Sequence, residues 1–143
     1  MTSAPDKRVV LDTNVLISAA ILPHSTPAQA LRKALGSWHI CISDAAADEL
    51  REVLRRPRFD RYFAQAPGAR DEFLDLFESS ALRVEVTQEV ADCVDPKDNK
   101  FLSLALAAKA RLLVSGDRKH LLGMDPYQGV RIVTAAGFLA EDG

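Results

Sequence analysis

Hydrophobic residues along this chain occur in two patterns, as short continuous runs and as longer stretches with helical spacing. Continuous apolar runs at 9–11 and 112–114 are typical of strands that are buried on both faces of a parallel sheet. Between the runs, apolar positions recur about every 3.6 residues, which predicts amphipathic helices. Strands that alternate with helices favour an α/β fold, so we expect a parallel sheet covered by helices on both faces.

Capping and turn residues set the bounds of the predicted elements. Strands are expected at 9–11, 38–42, 82–86, 112–114 and 130–133. Helices are expected at 15–21, 26–35, 44–55, 69–80 and 95–110, with an aromatic turn at 59–63, a short basic helix after 117 and a last helix from 134. The alternation of Leu82, Val84 and Val86 predicts an edge strand with these three side chains inward.

The length and the charge of the chain narrow the class of protein. A chain of 143 residues fits one domain, 1–143, in which residues 1–7 are expected to form a flexible N-terminal tail. The 18 basic and 20 acidic residues give a net charge of −2, which argues against binding nucleic acid through bulk positive charge. A local basic patch beside bound metal ions remains compatible with this charge.

Cysteine usage and hydropathy together predict a cytoplasmic protein. Cys41 and Cys93 show no disulfide or metal-ligand spacing, so we expect free thiols in a reducing compartment. No apolar run approaches the roughly 20 residues of a membrane span. The N-terminus lacks the apolar stretch of a signal peptide. The sequence therefore gives no reason to expect contact with a membrane.

Four acidic residues are placed to meet at one edge of the predicted sheet. Asp12 and Asp117 directly follow the two buried strands, and the carboxyl ends of parallel strands lie at the same edge. Glu49 lies at the border of the apolar stripe of its helix, and Asp98 lies on the apolar face of the next helix, at position N3 of its first turn. Each acid alone also has a simpler explanation, such as capping for Asp12 or the helix dipole for Asp98. Asp95 is explained by capping completely.

Carboxylates that converge in this way predict a particular chemistry. They repel one another unless cations neutralise them, and ligand sets made only of oxygen suit Mg²⁺ or Mn²⁺. Such ions activate water and stabilise the charge that develops on a phosphoryl group. The sequence shows neither a Ser-His-Asp or Cys-His arrangement nor a glycine-rich phosphate loop. The four acids therefore predict metal-assisted phosphodiester hydrolysis.

Four segments of the sequence together resemble the PIN-domain family. They are VLDTN at 10–14, DEL at 48–50, DPKDNKFL at 95–102 and LVSGD at 113–117, and they occur in the order and with the spacing of that family. Each motif alone is weak, whereas the set of four is specific and covers nearly the whole chain. Within the family, the chain is most similar to the toxin components of bacterial and archaeal toxin–antitoxin systems.

The resemblance implies a three-layer α/β/α sandwich with a central parallel sheet, and a Mg²⁺- or Mn²⁺-dependent endoribonuclease that acts on RNA. It implies a metal and catalytic site formed by four acids, Asp12, Glu49, Asp98 and Asp117. Three neighbouring residues would support that site by hydrogen bonds to a carboxylate or to the scissile phosphate, namely Thr13, Asn14 and Ser115. An antitoxin protein and a second copy of the chain in a homodimer are the implied protein partners.

Basic residues are expected to contact the RNA at two places. Many PIN-domain relatives carry a further acid after the last motif, where this chain has Arg118, Lys119 and His120. The number of metal ions, one or two, therefore stays open, and Arg118 and Lys119 are expected to contact the RNA backbone. Arg56 and Arg58, which lie in an arginine-rich stretch with interleaved aromatic residues, are also expected to bind RNA. The alternative for that stretch is a solvated helix end.

Three other interpretations compete with a ribonuclease. The first is a PIN-like module that binds RNA or protein without catalysis. The second is a receiver-type phosphotransfer domain, which needs an acidic pair after its first strand and a Lys after its last, but Thr13 and Asn14 follow Asp12 and no Lys follows Val133. The third is a haloacid-dehalogenase-like phosphatase, which needs a second Asp two residues after Asp12, where Asn14 stands.

Overall fold

A parallel sheet forms the centre of the protein in the computed structural model, which describes residues 7–116 and 119–141. In the described residues its strands are β1 (Arg8–Leu11), β2 (His39–Ile42), β3 (Leu82–Arg83), β4 (Leu112–Val114) and β5 (Arg131–Val133). They lie in the order β3-β2-β1-β4-β5, and each strand is parallel to its neighbour. The expected parallel sheet is therefore confirmed.

The two continuous apolar runs form the middle of this sheet. Val9 and Val10 of β1 and Leu113 and Val114 of β4 are fully buried. In the register of these strands Leu11 lies opposite Val114, and the amide of Asp12 donates to the carbonyl of Val114 at 3.0 Å. This register brings the residues that follow the two strands side by side at the carboxyl edge of the sheet.

Helices flank the sheet in a three-layer α/β/α arrangement. They are α1 (Thr13–Ile21), α2 (Thr26–Ser37), α3 (Asp44–Leu54), α4 (Ala69–Ser80), α5 (Asn99–Ala108) and α6 (Ala135–Ala140). Helix α5 packs against β1, β2 and β4, whereas α2 and α6 pack on each other and contact β2 and β5, respectively. In the described ranges, no helix combines the length and the apolar character that crossing a membrane requires.

The structure divides the stretch that the sequence predicts as one helix over 95–110. A 3₁₀ turn at Pro96–Asp98 comes first, capped by the Asp95 carboxylate, which accepts from the amide of Lys97 at 3.0 Å. Helix α5 then ends at Ala108, because Lys109 takes a left-handed conformation (φ 53°) that lets the chain turn toward β4. Asp98 is therefore the third residue after the expected Asp95 cap, but the first turn is 3₁₀, and Asp98 also occupies the N-cap position of α5.

The predicted edge strand at 82–86 is shorter than expected. Only Leu82 and Arg83 form strand β3, and Leu82 is exposed rather than inward. Strand β3 lies at the end of the described sheet and pairs with β2 alone, so its other edge has no neighbouring strand. The chain leaves the sheet after Val84, whose amide donates to the Ile42 carbonyl at 2.8 Å. Val84 and Val86 are half-buried along the segment that follows.

One further prediction differs in detail, and two lie partly outside the described residues. The helix expected at 26–35 extends to Ser37 and has Ser25 as its N-cap. The expected tail at 1–7 is described only at Lys7, whose carbonyl accepts from the amide of His39. The basic helix expected after 117 lies partly outside the described residues, since 117 and 118 are not described. The described residues that follow form a turn at 119–121 and a 3₁₀ turn at Leu122–Met124.

Candidate active site

A cleft of about 220 Å³ opens at the carboxyl edge of the sheet, beside the end of β1 and the start of α5. Its walls carry three of the four predicted acids, Asp12, Glu49 and Asp98, together with Asp95. The fourth predicted acid, Asp117, lies outside the described residues. The cationic side chains on the same walls are Arg56, Arg58 and Lys97. The sheet edge thus collects acids from three separate stretches of the chain in one place.

Asp12 is buried, with 3% of its surface exposed, and hydrogen-bond donors hold both of its carboxylate oxygens. Oδ1 accepts from the amide of Val15 at 2.9 Å, which caps α1. Oδ2 accepts from the hydroxyl of Ser115 at 2.6 Å and from the amide of Gly116 at 3.3 Å. Donors of this kind favour the charged form of a carboxylate and fix its orientation. Asp12 is therefore a helix cap and a constituent of the cleft at once.

Glu49 reaches the cleft from the second turn of α3 and is about three-quarters buried. The hydroxyl of Thr13 donates to its Oε2, and the ammonium of Lys100 donates to its Oε1 at 2.5 Å. Lys100 also donates to the carbonyl of Lys97 at 2.7 Å, so its head is fixed at the start of α5. Sequence reasoning missed Lys100, and the only signal for it was that a largely buried carboxylate needs a hydrogen-bond donor.

Asp95, Asp98 and His120 form a compact group of ligand atoms that lie within 4.8 Å of one another. All three side chains are partly buried. The sequence prediction assigned Asp95 to capping alone, and it placed His120 in a basic trio that could contact the RNA backbone rather than in the metal site. The structure retains the cap but also brings both residues next to Asp98. Nothing in the spacing between 98 and 120 indicated this proximity, because it depends on how the chain returns after β4.

The remaining predicted residues divide between the cleft and the surface. Asn14 is exposed and lines the cleft, whereas Ser115 is fully buried behind Asp12. Lys119 is exposed beside the undescribed pair that contains Arg118. The structure therefore brings Thr13, Asn14 and Ser115 to the predicted acids, and it leaves the position of Arg118 outside the described residues.

Among the arginines of 51–61, Arg56 and Arg58 line the cleft. Both guanidinium nitrogens of Arg56 that face Glu52 donate to that carboxylate at 3.0 Å, and this hydrogen bonding lowers the pKa of Glu52. The guanidinium of Arg58 lies 4.8 Å from the centre of the Phe59 ring. Arg51 and Arg55 instead pair with acids of α4, away from the cleft. Only part of the predicted basic stretch is thus placed to meet a ligand in the cleft.

The donor chemistry of the cleft fits a hard divalent cation. Asp12, Glu49, Asp95 and Asp98 supply carboxylate oxygens, which Mg²⁺ and Mn²⁺ prefer. The imidazole of His120 adds a nitrogen that Mn²⁺ accepts more readily than Mg²⁺ does. Hydrogen bonds from Ser115 and Thr13 to Asp12 and Glu49 resemble the outer interactions that orient ligands at metal sites.

Comparison with known proteins identifies the class to which this fold and this cleft belong. A family model of the PIN domain matches residues 8–119, which is most of the chain. The chain therefore belongs to the PIN-domain family. The uncharacterized protein MJ1680 of Methanocaldococcus jannaschii is 28% identical over 126 residues, a match that covers 87% of this chain and 80% of that protein.

A solved structure shows the same fold. The crystal structure of VapBC2 from Rickettsia felis, bound to a DNA fragment from their promoter, contains a chain that matches with a TM-score of 0.58. The two sequences are 15% identical, and the match covers 87% of this chain and 96% of that one. At this level of identity the likeness shows the fold, and the function has to be argued from the cleft.

Proposed function

We propose that this PIN-domain protein is a metal-dependent endoribonuclease that hydrolyses RNA phosphodiester bonds. The observation that carries the proposal is the convergence of Asp12, Glu49 and Asp98 in one cleft, with Asp12 and Glu49 held in place by side-chain donors. A group of acids at a sheet edge has no nucleophile of its own. It suits a reaction in which water attacks phosphorus.

The metal site would be formed by the four acids of the sequence prediction, Asp12, Glu49, Asp98 and Asp117. A Mg²⁺ or Mn²⁺ ion held there lowers the pKa of a water molecule and stabilises negative charge on the phosphoryl oxygens. Ser115 and Thr13 donate hydrogen bonds that orient two of these carboxylates, Asp12 and Glu49. His120 lies beside Asp98, where a nitrogen ligand would complete the set.

Cationic side chains around the acids would hold the RNA backbone. Arg56, Arg58 and Lys97 line the cleft, and Lys100 borders Glu49. Phosphate contacts from arginine and lysine position a nucleic acid without reading its sequence. The sequence prediction adds Lys119 and Arg118 to these backbone contacts. RNA is thus the expected substrate, and a single strand fits the arginine and aromatic residues near α3 best.

A toxin role is the more specific part of the proposal. It is supported by the likeness of the fold to a chain of VapBC2, and by the resemblance of the four sequence motifs to toxin components. On this view an antitoxin protein binds the chain and restrains the nuclease. The alternative, a PIN-like module that binds RNA or protein without cleaving it, is separated from the nuclease by the following experiment.

The test is RNA cleavage by the purified protein with Mn²⁺, with Mg²⁺ and with EDTA. Cleavage should require one of the two ions. Asp12→Asn should slow single-turnover cleavage by at least about 10²-fold, because charge stabilisation at a metal lowers the activation barrier by several kcal/mol. Asp48→Asn, at an exposed acid next to Glu49 in sequence, is the matched control and should keep full activity. Cleavage in EDTA, or by Asp12→Asn at the full rate, would leave the non-catalytic module as the better explanation.

A further inference from the structure

A second and larger cavity, of about 680 Å³, lies beside the acidic cleft along the carboxyl edge of the sheet. It is bounded by the start of α3, by the extended chain that follows β3 and by the first turns of α5. This volume lies in the range of about 300–1,000 Å³ that is typical of small-molecule sites. We propose that this cavity binds one nucleobase of the RNA substrate, next to the phosphodiester bond that is cleaved. The inference rests on the proposed nuclease function and deepens it.

Lys100 joins the cavity to the acidic cleft. It lines the cavity, and its ammonium donates to Glu49 at 2.5 Å in the cleft. The ion pair between Lys100 and Glu49 therefore lies at the border between the two spaces. An RNA strand whose phosphate lies at the acids has its adjacent nucleotide within reach of the cavity. A base bound in the cavity would determine which phosphodiester bond lies at the acids. The proposal therefore predicts that cleavage depends on the RNA sequence next to the cut.

The walls of the cavity suit the two faces and the edge of a base. Val84, Val86 and Val90 supply half-buried apolar surface, against which a planar ring can pack. Ser43 and Ser103 are 4% and 3% exposed, and each hydroxyl oxygen accepts from a backbone amide, of Ala46 and Val90, respectively. In the described residues neither hydroxyl has an acceptor for its own hydrogen. Both hydroxyls are thus available as donors to a ligand.

The charges of the cavity argue for a base and against a phosphate. Its acids, Asp44, Glu85 and Glu89, outnumber its cations, Arg83 and Lys100, and both cations already contact carboxylates. Among the described residues neither Glu85 nor Glu89 has an ion-pair partner. Exposed carboxylates repel phosphate but accept hydrogen bonds from exocyclic amino groups. Adenine, cytosine and guanine carry such a group, and uracil does not.

Hydrogen bonds hold the loosest wall of the cavity in place. The chain after β3 has no regular secondary structure, but the amide of Val90 donates to Ser103 at 2.9 Å. Farther along, the amide of Cys93 donates to the side chain of Asn99 at 2.8 Å. Both anchors lie on α5, which also carries Lys100. A site that is already ordered loses less conformational freedom when it binds a ligand.

The inference is tested by filling the cavity at Ala45, an exposed small residue in the first turn of α3. Ala45→Phe places a ring in the cavity and leaves the acids of the cleft unchanged. Ala107→Phe, on the exposed side of α5, is the matched control. Binding of AMP, CMP, GMP and UMP is measured on the metal-free protein by ligand-observed NMR. We expect UMP to bind roughly ten-fold more weakly than the other three, and Ala45→Phe to abolish the difference.

Mapping of the RNA ends after cleavage supplies the second readout. The wild type and Ala107→Phe should disfavour uracil at one position next to the cut, and Ala45→Phe should lose this preference while it still cleaves. Mononucleotide binding without any RNA cleavage would support the cavity and overturn the nuclease. Cleavage with an identical pattern in the wild type and Ala45→Phe, or equal binding of all four mononucleotides, would overturn the base site and leave the cavity to another occupant, such as a protein segment.

Discussion

At the scale of single residues, the acids of the cleft serve the fold and the proposed chemistry with different atoms. One oxygen of Asp12 caps α1, and the other accepts from Ser115 and Gly116. The sequence treats capping and ligation as alternatives for Asp12, yet the geometry accommodates both. This outcome was not predictable from the motif alone, because the second set of donors comes from a segment about 100 residues away.

The hydroxyl of Ser115 gives a direct test of how Asp12 is oriented. Ser115→Ala removes a donor 2.6 Å from Asp12 Oδ2. Removal of such a supporting hydrogen bond typically weakens metal binding by about 10–100-fold, so we expect a reduction of that size for Mn²⁺, measured by isothermal titration calorimetry. Ser37→Ala, at an exposed serine of α2, is the control. Equal Mn²⁺ affinity in the wild type and Ser115→Ala would show that the Ser115 hydroxyl does not support a metal ligand.

Substitutions can distinguish the role of Asp95 from that of Asp98, although both residues line the cleft. Asn caps helices about as well as Asp does, so Asp95→Asn keeps the cap at Lys97 and removes only the charge. We expect Asp95→Asn to fold and cleave RNA within a few-fold of the wild type, and Asp95→Ala to lose about 1 kcal/mol of unfolding free energy. Asp98→Asn should fold normally and lose cleavage severely at saturating Mn²⁺. Denaturant melts and single-turnover cleavage measure both effects.

The opposite result for this pair has a clear meaning. If Asp95→Asn is inactive and Asp98→Asn is active, Asp95 is the ligand and the cap is secondary to it. Helix register alone cannot decide between them, since both carboxylates lie within 4.8 Å of a His120 nitrogen.

At the scale of elements, the sequence predicted the buried strands and most helix starts, and its errors lie at helix ends and at the sheet edge. Continuous apolar runs identified β1 and β4. Helix α3 begins at the expected residue and α6 one residue later than expected, with Ser43 and Thr134 as their N-caps. The break between Asp98 and Asn99 was missed, because local propensity does not distinguish a 3₁₀ turn from the first turn of an α-helix. Edge pairing at β3 depends on a single neighbour, which periodicity does not reveal.

An ion pair between α3 and α4 makes the stability of the fold depend on pH. Arg51 donates to Glu78 through two nitrogens, at 2.7 and 2.5 Å, and these hydrogen bonds lower the pKa of Glu78 from its usual 4.5. A lowered pKa stabilises the fold above pH 4.5, and the contribution is lost as the pH falls through the lowered value. Glu78→Gln should therefore be less stable than the wild type at pH 7, with a difference that shrinks below pH 4.5.

Denaturant melts between pH 3 and pH 7, in steps of about one pH unit, measure this difference in unfolding free energy. Glu72→Gln, at an exposed glutamate of α4 that lies outside the ion pair, is the matched control. A stability difference between Glu78→Gln and the wild type that stays constant over this range would show that the ion pair does not link the two helices.

At the scale of the whole molecule, a net charge of −2 coexists with a small cationic surface at the cleft. Arg56→Ala with Arg58→Ala should weaken RNA binding and reduce the slope of log K against log salt by roughly one unit for each arginine that binds a phosphate. The measurement is fluorescence anisotropy at several salt concentrations, in an Asp12→Asn background that prevents cleavage. Arg55→Ala with Arg61→Ala, which changes charge equally away from the cleft, is the control. An unchanged slope would assign Arg56 and Arg58 to the solvated surface.

The position of β1 in the middle of the sheet also determines when the cleft is assembled during translation. The ribosome synthesises one neighbour of β1 early, namely β2, in which Ile40 lies opposite Val9. It synthesises the other neighbour late, namely β4, in which Leu112 lies opposite Val9. Until that late strand, Ser115 and Gly116 have left the ribosome, Oδ2 of Asp12 lacks these two donors and β1 has an open edge. On the proposed function, nascent chains and prematurely terminated copies therefore leave the RNA of the cell that makes them intact.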